Sequence, residues 1–264
     1  MNEVEFSAAL DAALPKLRNV IRKMVGHAQQ CEDIVQDTLT KAWEKRDGFR
    51  EEAAFSTWLC SIGVNCAQDF LRQQQRWREK AQVIYANECL QQPELGMEVG
   101  QCFNDPSISF DIGEHIAYCF SCVGRSMPPV QQAALVLKDV LELTSREGAK
   151  VLNMSESVYR QHLSQARDTM RHTYEGLCAL VNKQGVCYQC KGLREGFPES
   201  RRGQSLDGLD DGLDFEVRLH WVKQANLVNG KTQAMHDIFW KRTEAIEDEQ
   251  RGDEDVTTDC GTDA

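Results

Sequence analysis

At 264 residues the chain is long enough for two small domains and some extra, and no apolar run approaches the roughly 20 residues a membrane helix needs. Its start, MNEVEFSAAL, is acidic where a secretory signal is basic and then apolar, so a cytoplasmic protein with no membrane partner is expected. Eleven cysteines in that compartment argue for reduced thiols or metal ligation over a disulfide framework, and a net charge of −11 argues against nucleic-acid binding by bulk charge alone.

Dividing the chain changes the charge argument. Residues 1–80 and 127–182 each balance to zero, whereas 81–126 and 183–264 carry −5 and −6. The excess acid lies outside the two segments whose patterning suits a nucleic acid. Neither segment is strongly basic, so the isolated chain should bind DNA weakly, with a larger partner supplying most of the affinity.

Residues 6–25 read as an amphipathic helix with Phe6, Leu10, Leu14 or Leu17, and Ile21 on one side. A second helix is expected from about Cys31 to Lys45, with Ile34/Val35, Thr38/Leu39 and Ala42/Trp43 recurring at helical spacing. Ser56 is a candidate N-cap for a third, in which Leu59, Ile62, Cys66 and Phe70 share a face. Residues 86–114 hold Pro93 and Pro106 with no sustained period and read as a largely extended linker. Pro128 and Pro129 open a helical run through Leu141. Thr144 with Glu147 is a capping-box signature for a short helix ending near Leu152, Asn153 suits a left-handed corner, and Ser155 caps a long helix through about Tyr174. From Gly185 the composition turns loop-like, then offers two short helices near 215–227 and 231–247 and an acidic tail expected to be disordered.

Three stretches carry chemistry. On the second helix Asp33, Gln36 and Asp37 lie at i, i+3 and i+4, an acidic exposed face opposite Ile34 and Leu39, with Trp43 expected in the core. From Phe55 to Arg78 a polar stripe of Asn65, Asp69, Arg72 and Arg76 runs along one side. Arg78, Lys80, Trp77 and a glutamine run extend it, a composition that follows phosphates with cations and meets bases with amides and rings. Asn65 and Asp69 could equally brace helix packing. The third stretch is a helix-turn-helix from Thr144 to Arg167. Its second helix turns Glu156, Ser157, Arg160, Gln161 and Ser164 outward, with Val158 or Tyr159, Leu163 and Ala166 inward; Arg160 and Arg167 are its candidate phosphate or guanine partners.

This order, acid-faced helix, helix with a basic and aromatic end, acidic linker, helix-turn-helix, resembles a bacterial RNA polymerase sigma factor of the extracytoplasmic-function (ECF) type over roughly Phe6 to Tyr174. The resemblance implies an all-α fold: a region 2-like bundle over 1–82, an acidic linker over 83–124, a region 4-like helix-turn-helix domain over 125–176 and a C-terminal extension over 177–264. It further implies that Asp33, Gln36 and Asp37 grip a coiled coil on the clamp of core RNA polymerase. Asn65, Asp69, Arg72, Arg76 and Arg78 would read and open the promoter −10 element, with the loop Gly48 to Ala54 holding an extruded base. Ser157, Arg160, Gln161, Ser164 and Arg167 would read the −35 element, although His162 and Gln165 stand where the family often places basic residues. The linker is then either a solvated tether or a mimic of RNA in the polymerase channels. Promoter DNA and core polymerase are the implied partners, an anti-sigma factor a further one, and no catalytic residue or required cofactor is implied.

The extension adds Cys178 and the pair Cys187 and Cys190, a C-x-x-C spacing that suits one edge of a zinc site or a redox pair. His172 or Cys260 could complete a zinc site, and plain structural cysteines are the third alternative; Cys119 and Cys122 form a further pair inside a helical pattern. Cys31, Cys60, Cys66, Cys89 and Cys102 read as small buried hydrophobes. The rival readings are a stand-alone helix-turn-helix regulator that senses metal or redox state through its C-terminal cysteines, and a helical adaptor.

Overall fold

The computed structural model describes residues 2–49, 54–73, 112–124, 127–177 and 215–228, and among them every regular element is helical. Helix α1, Glu3–Val25, starts on a reciprocal capping box in which Asn2 Oδ1 accepts from Glu5 N while Glu5 Oε2 accepts from Asn2 N, both at 2.9 Å. It buries Phe6, Ala13, Leu17, Val20, Ile21 and Met24 at spacings of three, four and seven, the expected face with Leu17 completing it. Helix α2, Ala28–Glu44, and helix α3, Phe55–Gln73, pack against it as a three-helix bundle. At Gly63 a Cβ would stand 2.6 Å from Leu17 Cδ1, so the hydrogen side chain sets how closely α1 and α3 approach. Ser56 lies inside α3, where a cap was expected at its start.

Helix α4, Ile112–Gly124, corrects the expectation of a linker running to residue 124. His115, Ile116, Ala117, Tyr118, Phe120, Ser121 and Val123 are all buried, an apolar period that continues past the acidic stretch. Helix α5, Pro129–Leu135, begins at the second proline as expected and runs on into a π turn, Val136–Val140. Glu142 after it takes a positive φ of 61°, which ends the run. Helices α6, Ser145–Val151, and α7, Glu156–Leu177, form the helix-turn-helix, with Asn153 at φ 52° in the turn. Helix α8, Phe215–Gln224, realises the first of the two helices expected in the extension.

The core is continuous across both halves: α3 packs on α5 and α6, α4 on α1 and α7, and α8 on α4. Cys31, Cys60 and Cys66 are buried within it, and burial pushes the Cys31 and Cys60 thiols up to about 12, so both stay protonated and inert. Cys89 and Cys102 lie outside the described residues. No helix among the described residues is long and apolar enough to cross a membrane.

Candidate nucleic-acid interface

The acidic face of α2 is built by what lies beneath it. Cys31, Ile34, Val35, Thr38 and Ala42 are buried against α1 and α3, which forces Asp33, Gln36 and Asp37 outward, and all three are exposed. Arg18 of α1 fixes the first turn of α2 through a bidentate pair with Glu32, at 2.9 and 3.1 Å. Gln29 Nε2 donates to Asp33 Oδ1 at 3.1 Å, while among the described residues neither Gln36 nor Asp37 is drawn into a side-chain ion pair. The result is a rigid helix face with two carboxylates and an amide held in water, suited to a basic protein surface. Trp43 departs from its expected place in the core: it is 41% exposed, lies edge-on to Phe6 at 5.7 Å, and has the Arg46 guanidinium over its ring at 4.7 Å.

At the same end of the bundle an aromatic cluster brackets the loop expected to hold a base. Phe55 meets Phe6 at 5.4 Å and Phe49 at 5.3 Å, edge to face, and Trp58 lies 5.2 Å from Phe49 and 5.3 Å from Phe55. Such pairs contribute about 0.5–1.5 kcal/mol each beyond their buried area. They anchor the chain on either side of residues 50–53, which lie outside the described residues. The F-x5-F-x2-W spacing of Phe49, Phe55 and Trp58 is the sequence signal of this cluster.

Along α3 the polar stripe divides. Asn65 is half-buried and its Nδ2 donates to Val151 O, the last residue of α6, at 3.1 Å. Asp69 and Arg72 are exposed and face each other at 3.5 Å, an i,i+3 pair that contributes little to stability in water. Arg76 and Arg78 lie outside the described residues, as do Cys178, Cys187 and Cys190.

The helix-turn-helix is set by caps and by one tyrosine. Thr144 Oγ1 accepts from Glu147 N at 3.2 Å, and Glu147 Oε2 accepts from Thr144 N at 2.8 Å; the Thr144 hydroxyl and amide hold the Glu147 carboxyl below its usual range. Ser155 Oγ accepts from Val158 N at 3.3 Å to start α7. Tyr159, fully buried, resolves the choice left open with Val158, which is 42% exposed. Its hydroxyl donates to Ala134 O at 2.9 Å, and its ring passes Gly148 so closely that a Cβ there would stand 2.4 Å away. Gly148 therefore fixes the angle between α6 and α7, a role the sequence alone did not reveal.

On the outward side of α7, Ser157, Arg160, Gln161 and Ser164 are exposed as expected, with Arg160 paired to Glu156 one turn earlier. Arg167 differs. It is held bidentate by Asp139 of the π turn, Nε to Oδ2 at 2.9 Å, and Asp139 is 5% exposed. A buried carboxylate needs its counter-ion, so in this structure Arg167 braces α7 against α5 and does not join the outward row. Among the described residues no cluster of three His, Cys, Asp or Glu has the arrangement of a metal site.

Residues 10–77 match the family Sigma-70 region 2, and residues 122–170 match Sigma-70, region 4. The chain is similar to the ECF RNA polymerase sigma factor SigG of Mycobacterium tuberculosis, 27% identical over 177 residues that make up 63% of this chain and 48% of that protein. It is also similar to SigW of Bacillus subtilis, 23% identical over 166 residues, 63% of this chain and 87% of that one. The ECF RNA polymerase sigma-E factor of Escherichia coli K12 is 26% identical over 145 residues, covering 55% and 74%. The chain spans about half the length of the SigG proteins it matches. A solved structure of the sigma factor RpoE in complex with the anti-sigma factor NepR from Bartonella quintana is similar at a TM-score of 0.42 and 21% identity, over 64% of this chain and 95% of that one.

Proposed function

We propose that this chain is an ECF-type RNA polymerase sigma factor that binds core polymerase through α2, reads promoter DNA through α3 and α7, and promotes opening of the start region. The observation that carries the reading is the presence in one chain of both matched regions in order, with an exposed acidic α2 face in the first and a capped helix-turn-helix in the second. Asp33, Gln36 and Asp37 dock on the polymerase. Asp69, Arg72, Arg76 and Arg78 follow the −10 strand once Asn65 is freed to join them. Ser157, Arg160, Gln161 and Ser164 enter the major groove near the start of α7, the end that such motifs present to base edges. The chain performs no catalysis in this scheme; nucleotide addition belongs to the polymerase, and the cytoplasm is where the complex works. An anti-sigma factor is a further partner within the same reading.

The test is run-off transcription with purified core polymerase on a pool of promoter fragments. Specific transcripts that disappear with Asp37→Arg, while the helical content of the variant is unchanged, are expected. Tight duplex binding by the chain alone, with no polymerase association, would instead identify a stand-alone helix-turn-helix regulator.

A further inference from the structure

We infer that Cys119 and Cys122 of α4 are a redox-active pair, a site at which a peroxide closes a reversible disulfide within one turn of the helix. The inference stands apart from the sigma-factor reading, since it needs neither polymerase nor DNA.

The two sulfurs differ from the other described cysteines in their surroundings. Cys31, Cys60 and Cys66 are buried, and burial pushes the first two thiols up to about 12, where almost none is thiolate at neutral pH. Helix α4 is itself packed nearly all round, from His115 to Tyr118 and again through Phe120, Ser121 and Val123. Between Glu114 and Gly124 only Cys119 and Cys122 are partly exposed. Three residues apart, they share one face of the helix, and solvent reaches α4 through them. Two small apolar side chains would fill that space as well. What the cysteines add is a pair of nucleophiles within reach of each other.

Helical geometry puts the pair at the edge of what a disulfide accepts. Residues three apart on an α-helix have Cα atoms about 5 Å apart, inside the span of about 4.4–6.8 Å that disulfides bridge. Their Cβ atoms, at about 5–6 Å, must approach by roughly 1–2 Å before the sulfurs can join. The bond can form, but only by deforming the turn that carries it. A strained, accessible disulfide is readily reduced again, which suits a reversible modification and not a permanent staple.

The step balances with a peroxide as oxidant. One sulfur, as thiolate, attacks the O–O bond and becomes a sulfenic acid, while the other oxygen takes a proton and leaves as water or an alcohol. The second thiolate displaces the sulfenic hydroxyl, which leaves as water as the S–S bond forms. Two protons and two electrons pass to the peroxide, and a thiol reductant returns them.

The residues inside that turn carry its covalent state to the rest of the molecule. Phe120 and Ser121 lie between the two cysteines in sequence, and both are buried. Ser121 Oγ donates to Lys23 O at 2.8 Å, with Arg22 O at 3.2 Å, so this hydroxyl caps the end of α1 across the seam between α1 and α4. Gln132 Nε2 adds a bond to Met24 O at 2.9 Å. Tyr118, one residue before the pair, donates its hydroxyl to Leu227 O at 3.0 Å and has the Arg22 guanidinium over its ring at 5.7 Å. Deforming residues 119–122 displaces Ser121 from the carbonyls it caps, so oxidation weakens the hold of α4 on α1.

The experiment treats the full chain with hydrogen peroxide, with and without later dithiothreitol, then cleaves it with trypsin and a glutamate-specific protease. Cleavage after Glu114 and Arg125 releases residues 115–125, whose only cysteines are Cys119 and Cys122. Mass spectrometry should find this fragment lighter by two hydrogens after peroxide and restored by the reductant. Cys122→Ser should never yield the lighter fragment and should gain oxygen at Cys119 instead. Urea unfolding of the oxidised chain should show a lower midpoint than that of the reduced chain, a difference that Cys122→Ser largely removes. Because the mass is read on the unaltered chain, the test holds even where a variant fails to fold. Oxygen added to each sulfur separately, or either sulfur linked to a distant cysteine, would overturn the pair. An unchanged midpoint in a chain whose 115–125 fragment is fully oxidised would overturn the coupling to α1.

Discussion

The α2 face and the α3 stripe treat their polar side chains in opposite ways. Asp33, Gln36 and Asp37 stand in solvent on a helix whose other side is fully packed, whereas Asn65, four residues from the exposed Asp69, is spent on the backbone of α6. The same division recurs on α7, where Arg160 is outward and Arg167 is committed to Asp139. Under the proposed function, the α2 face already stands ready for a polymerase, whereas Asn65 and Arg167 are held inside the structure and away from DNA.

The largest expected effect comes from removing the residue that holds the second half together. Tyr159→Ala should cost about 3–5 kcal/mol in urea unfolding, by loss of a buried ring beside Gly148. Tyr159→Phe should cost only about 1 kcal/mol, the hydrogen bond to Ala134 O. Equal losses would mean that the hydroxyl, not the ring, sets the geometry.

Arg167 and Arg160 separate structure from recognition. Arg167→Ala strands the buried Asp139 carboxylate and should cost about 2–3 kcal/mol, discounted from the usual range because the arginine is a third exposed. Adding Asp139→Asn should return part of that loss. Arg160→Ala should leave stability within about 0.5 kcal/mol and weaken promoter binding instead. A stable Arg167→Ala with weakened DNA binding would put Arg167 back among the readers.

Acid should loosen the seam. Burial pushes His115 from the usual 6.5 down to about 4, so between those values the unfolded chain binds a proton that the folded one refuses. Stability contributed by neutral His115 is therefore complete above pH 6.5 and is lost as pH falls toward 4, by at most about 3 kcal/mol at 1.36 kcal/mol per pKa unit. Comparing wild type with His115→Gln across this range isolates the term from the carboxylates; parallel curves would show that His115 is not the group responsible.

A smaller effect of opposite use concerns Lys23, which burial lowers from 10.5 to about 8. The folded state holds fewer protons than the unfolded one between these values, so stability rises with pH across 8 to 10.5. Lys23→Met removes the desolvated charge and should stabilise the folded form at pH 7 by about 1–2 kcal/mol, less the bond to Lys223 O. A destabilised variant would show that the bond to Lys223 O outweighs the desolvation.

Much of the fold was legible because its signals are local. The box formed by Thr144 with Glu147, the left-handed Asn153, the cap at Ser155 and the helical period of α1 and α2 each depend on residues within one or two turns. The acidic face was legible for the same reason, since Asp33, Gln36 and Asp37 follow from the period that buries Ile34 and Val35. Val158 and Tyr159 could not be told apart, because neighbouring positions both border the packed stripe and only the space beside Gly148 decides. Trp43 was misplaced because a helical pattern gives the direction of a side chain and not how much neighbouring structure covers it.

The sequence by itself thus determined the helices, most of their caps and the charge distribution. Tertiary structure alone decided that Arg167 pairs with Asp139, that Asn65 meets Val151, and that the Asn19 amide receives a backbone more than 200 residues away. The reason is physical: a cap is chosen by the residues beside it, whereas a hydrogen bond across such a separation depends on where every intervening element has been packed.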